Sequence, residues 1–76
     1  MDQQERAWVV FDVEGTEPAF VGLYWTLDKV IRVVGEREEG GMEQIKLFQI
    51  RPHVWVVRDG EKSELDLYRL EHEVIE

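Results

Sequence analysis

Only one stretch of this chain repeats its apolar residues at helical spacing, while the other apolar residues come in short runs rich in β-branched and aromatic side chains. Leu27, Val30, Ile31 and Val34 stand at i, i+3, i+4 and i+7, which puts them on one face of a helix. Thr26 precedes them, where its hydroxyl can accept an orphan backbone N–H, and Asp28 falls in the first turn, where the helix dipole favours an acid. Trp25 and Val30 hold the positions of a hydrophobic staple, and Gly35 can supply the left-handed residue that ends the helix. The competing signal is the β-branching of Val30, Ile31, Val33 and Val34, which suits a strand, although adjacent apolar pairs break the alternation a strand needs. The spacing predicts a helix over 27–34 and leaves an all-β fold as its alternative.

The rest of the chain reads as strands. Residues 7–13 are one, with Trp8 and Val10 on the same face as Asp12 and Glu14 further along. Glu14 to Pro18 carry turn chemistry, Ala19 to Tyr24 resume as a second strand, and a hairpin is the simplest joining. Glu36 to Gly41 form a charged, glycine-ended connection. Three further strand candidates follow, Glu43 to Ile50, Val54 to Arg58 and Glu64 to Leu70, separated by Arg51-Pro52-His53 and by Asp59-Gly60-Glu61-Lys62, and they predict a meander. The expected architecture is therefore α+β, in the order ββαβββ: a mostly antiparallel sheet with one helix on one face, as a single domain over 1–76 with tails at 1–6 and 71–76. One short helix is little cover for Trp8, Val10, Phe48 and Trp55. Either the sheet curls over these residues or a partner does, and the second option predicts a homodimer formed through Trp8, Val10 or Trp55.

Size sharpens that expectation. Seventy-six residues leave room for one core, and a core of this size supplies only about 3–5 kcal/mol unless a staple or a subunit adds to it. The chain has no cysteine, which removes disulfides and thiolate metal sites. Cysteine-free composition and a polar start at Met1 to Glu5 point to the cytoplasm, and no apolar run reaches the length of about 20 residues that a membrane-spanning helix needs.

Nothing in the inventory of reactive residues assembles into a catalytic site. Ser63 is the only serine and lies in an expected hairpin loop, Thr26 is committed as a cap, and Lys29, Lys46 and Lys62 all have polar neighbours. His53 and His72 match no metal-ligand spacing, and the glycine pair Gly40-Gly41 precedes a strand, where no phosphate cradle forms. The expectation is a protein that is not an enzyme and takes no cofactor or metal.

The net charge is −8, and it is uneven: residues 1–24 hold five acids and one base, and residues 51–76 hold seven acids and four bases. Such a surface repels nucleic-acid phosphates and anionic membranes and attracts a protein with a basic surface. Carboxylates at alternate strand positions stand about 7 Å apart, so Asp12 with Glu14 and Glu64 with Asp66 are expected to present rows of charge that imitate a phosphate backbone. In size, charge and mixed fold the chain resembles the small acidic inhibitors that phages and other mobile elements encode against host nucleases, including anti-CRISPR proteins. The block Phe20 to Thr26 with its helix also resembles a strand, turn and helix unit of small bacterial and phage proteins, one that carries no catalytic residue. The resemblance implies an inhibitor that binds a basic surface of a nucleic-acid-binding protein. The alternative is a small homodimeric accessory protein whose acidity serves solubility alone.

Overall fold

A computed structural model describes residues 5–60 and 65–74. Its elements are β1 (Arg6–Asp12), β2 (Ala19–Tyr24), α1 (Leu27–Arg37), a 3-10 turn (Gly41–Gln44), β3 (Ile45–Arg51), β4 (Val54–Asp59) and β5 (Asp66–Val74). The order is ββαβββ, as the sequence predicts, and the five strands form one antiparallel sheet in the order β2-β1-β5-β4-β3. Two hairpin-like units, β1 with β2 and the meander of β3 to β5, are joined by the long β1–β5 pairing, which runs from Arg6 opposite Val74 to Asp12 opposite Tyr68. Glu71 to Val74 are therefore strand, where the sequence suggested a tail. Their polar side chains conceal a backbone that β1 holds in register.

The helix starts where its signals place it. Thr26 is the N-cap, and its Oγ1 accepts the Lys29 N–H at 3.2 Å. The end differs: α1 continues through Gly35 to Arg37, and the left-handed glycine is Gly41, at φ +70. Gly35 serves a close approach instead, because a Cβ at that position would lie 2.5 Å from Met42 Cγ in the turn that follows. Glu36 and Arg37, expected in a connection, are helical, and Gly41–Gln44, partly expected in a strand, form the 3-10 turn.

Residues directly opposite in an antiparallel ladder share a face, so the register sorts the side chains. One face carries Trp8 and Val10 from β1, Tyr24 from β2, Tyr68, Leu70 and His72 from β5, and Trp55 and Val57 from β4. Helix residues Val30 and Val34, at 1% and 0% exposure, close over this face, with Leu27 packed beside them. Each fully buried valine, leucine or tyrosine in that layer is worth about 1.5–3 kcal/mol of transfer from water. Three bulges adjust the pattern. Opposite Val57 and Arg58, Leu67 is the extra residue of β5, so both Leu67 and Tyr68 reach the core and Asp66 passes to the other side.

That other face carries Ala7, Val9 and Phe11, Phe20 and Leu23, Phe48, Val56 and Arg58, and Arg69, Glu71 and Glu73. Among the described residues no helix packs on it. Arg69 extends over the Phe11 ring at 5.1 Å and Arg58 over Phe48 at 5.0 Å, sheltering the small side chains beneath them. Phe20 remains 64% exposed and Phe48 37%.

Candidate functional site

At one end of the covered face, strand termini and the C-terminus of α1 converge. Apolar positions 27, 30 and 34 form the stripe of α1 that meets the sheet, and the next turn of that stripe brings Arg37 and Glu38 over Tyr68. The Tyr68 hydroxyl donates to Glu38 Oε2 at 2.7 Å and accepts from Arg37 Nε at 3.2 Å. Arg37 also reaches Asp12 Oδ2 at 3.3 Å, and Asp12 Oδ1 accepts the Glu14 backbone N–H at 3.1 Å. The network closes the core under a lid of charge. Burial is the main reason the Tyr68 phenol is pushed up to about 12, with the Glu38 carboxylate adding to it and Arg37 opposing.

The surroundings of this network are acidic. Partial loss of hydration, then repulsion from Glu38, Asp12 and Asp59, raises the Glu14 carboxyl above its ordinary value. A concavity of about 470 Å³ opens beside Glu38, lined by the polar side chains Glu38, Glu39, Gln44 and Asp59 and by the apolar side chains Ile45 and Leu67. Three chain segments thus contribute Asp12 and Glu14, Glu38 and Glu39, and Asp59 to one end of the molecule. Among the described residues no group of three or more His, Asp or Glu side chains is arranged to hold a metal ion. An anionic hollow with an apolar wall is chemically suited to guanidinium or ammonium groups.

The residues expected to carry the acidic surface are divided. Asp12 and Glu14 belong to this end, although β1 stops at Asp12 and Glu14 lies in the following loop, so they are no alternating strand pair. Asp66 is on the opposite face, ion-paired to Arg58 at 2.6 Å. Glu64 lies outside the described residues. Sequence reasoning missed Glu38, Glu39 and Asp59, and for Glu38 the signal was available: it continues the apolar stripe of α1 by four residues from Val34.

Trp8, Val10 and Trp55, expected at a self-association surface, lie on the covered face. Trp8 and Val10 are core residues at 7% and 0% exposure, and Trp55 packs against the same cluster, edge-on to Trp8 at 6.3 Å. Trp8 and Val10 are buried there and Trp55 is half-buried, while Phe20, Leu23, Phe48 and Ile50 are exposed on β2 and β3. His72 stacks on Trp8 at 4.1 Å, and burial first, then Arg6 and His53, holds its imidazole below its ordinary pKa. His53, at φ +70, turns β3 into β4, and its carbonyl accepts the His72 N–H at 2.8 Å.

No family model, curated protein or solved structure matches the chain. Its described helix is too short to cross a membrane.

Proposed function

We propose that this chain is a non-enzymatic protein-binding module that engages a basic protein surface through its acidic end, as an inhibitor of the kind mobile elements direct at nucleic-acid-binding proteins. The observation that carries this reading is the convergence of Glu38, Glu39 and Asp59 on one hollow, with Asp12 and Glu14 near enough that, after partial loss of hydration, repulsion from Glu38, Asp12 and Asp59 raises the Glu14 carboxyl. A site that keeps like charges together at a cost in self-repulsion is relieved when a cation enters it. The Tyr68 hydroxyl, itself held by Arg37, donates to Glu38 and so fixes one of the carboxylates that line the hollow. A groove that normally holds a phosphate backbone offers the matching cations, and occupation of that groove would exclude the nucleic acid.

The test uses an arginine-rich peptide as probe and stopped-flow tryptophan fluorescence as readout. Association should slow steeply between about 50 and 500 mM salt, while dissociation changes less. Glu14→Gln with Glu39→Gln, two exposed side chains outside the Tyr68 network, should lower the low-salt association rate by about threefold to tenfold. Equal rates for this variant and the wild type would overturn the reading. The alternative, a homodimeric accessory protein, is favoured by a different observation, the uncovered face of the sheet.

A further inference from the structure

We infer that the uncovered sheet face is the surface through which two copies of this chain pack, open face against open face. It differs in charge from the rest of the molecule. Register places Lys46, Arg51, Arg58 and Arg69 on it against Asp66, Glu71 and Glu73, whereas the remaining described residues hold ten acids and four bases. In a chain of net charge −8, such a nearly balanced broad surface is one that a second copy can approach without strong repulsion.

The apolar groups stand at its two margins. Phe20 and Leu23 on β2 are 64% and 44% exposed, and Phe48 and Ile50 on β3 are 37% and 51% exposed. Between them, Arg69 pairs with Glu71 at 2.8 Å and Arg58 with Asp66 at 2.6 Å. The surface is self-complementary along β5. A two-fold axis lying across that strand sets Arg69 of each copy against Glu71 of the partner subunit and brings like apolar margins together, Phe20 toward Leu23 of the partner subunit. Five strands at about 4.8 Å spacing and about 20 Å length give roughly 450 Å² of flat face, more with side-chain relief, near the roughly 600 Å² per partner of the smallest specific interfaces. Two sheets stacked in this way form a sandwich, the usual means by which such a face is removed from water.

Sedimentation equilibrium of the full chain tests this directly. At about 100 µM, a concentration suited to an interface of this size, the wild type should sediment at twice the 9.0 kDa chain mass. Phe20→Asp with Ile50→Asp should weaken dimerisation by about 100-fold, since each places unpaired charge in the contact, while Met42→Gln on the helix side should not. Raising salt should tighten the dimer by screening two like-charged copies, the opposite of its effect on binding a cationic peptide, so the two proposals fail separately. Concentration-dependent NMR shifts in the wild type, confined to Phe20, Leu23, Phe48 and Ile50 and absent from α1, give a readout independent of any variant. A monomer at every concentration, or a dimer unaffected by the paired aspartates, would overturn the inference.

Discussion

The two faces of the sheet are made from the same five strands and differ in what lies over them. On the covered face the large side chains pack against α1 or the next strand, and the buried Tyr68 hydroxyl is satisfied on both sides. On the open face arginines extend over phenylalanines, one ion pair joins β4 to β5 and another lies along β5, and apolar side chains are left at the margins. Burial decides how much a side chain contributes to folding. A residue on the open face can be apolar and still add little stability to the monomer, because it keeps most of its contact with water.

The largest effect should come from exchanging comparable leucines between the faces. Leu70→Ala, at a position of 0% exposure, should cost about 3 kcal/mol, and Leu23→Ala, at 44% exposure, under about 1 kcal/mol. Urea denaturation at micromolar protein, well below the roughly 100 µM of the sedimentation test, makes this comparison. Equal losses would show that the open face is already covered in the monomer.

A smaller effect is expected at the rim of the covered face. Tyr68→Phe removes a hydroxyl that donates to Glu38 and accepts from Arg37, at an expected cost of about 1–2 kcal/mol. The same hydroxyl gives the fold an alkaline limit. Its folded pKa, about 12, lies above the unfolded value of 10.0. The folded state therefore holds the proton more tightly, and the associated stability is complete below pH 10 and is lost as pH rises toward 12. Thermal melts from pH 9 to 11.5 should show a decline in the wild type that is shallower in Tyr68→Phe.

The smallest effect belongs to the open face. Replacing Arg58 and Asp66 together by Gln and Asn should change monomer stability by less than about 0.5 kcal/mol, because both partners are substantially exposed. A calorimetric loss well above that would mean the Arg58 side chain contributes by packing on Phe48, beyond its charge.

Several elements were legible before any coordinates because their signals are local. Thr26 as the cap, the stripe at 27, 30 and 34, and the tight turn at Arg51-Pro52-His53 depend on neighbours in sequence. The end of α1 was misread because Gly35 suits two roles, a left-handed terminus or a close approach, and only the position of Met42 decides between them. The acidic end was half visible. Asp12 and Glu14 stood out as acids at the end of an apolar strand, but Glu38 and Asp59 join them through pairings that span dozens of residues.

By itself, then, the sequence determined an α+β chain with one helix, five short strands and an excess of carboxylates, because propensity, capping and period are properties of neighbouring residues. Tertiary structure decided which face the helix covers. Alternation marks Trp8 and Val10 as sharing a face, but it does not say whether α1 or a partner lies over that face. The β1–β5 register settled it by aligning Trp8 with His72 and Val10 with Leu70 beneath Val30 and Val34. The same register, with a bulge that moves Asp66 to the far side, separated the acids into a hollow at one end and a nearly neutral face, a division that depends on contacts between distant residues.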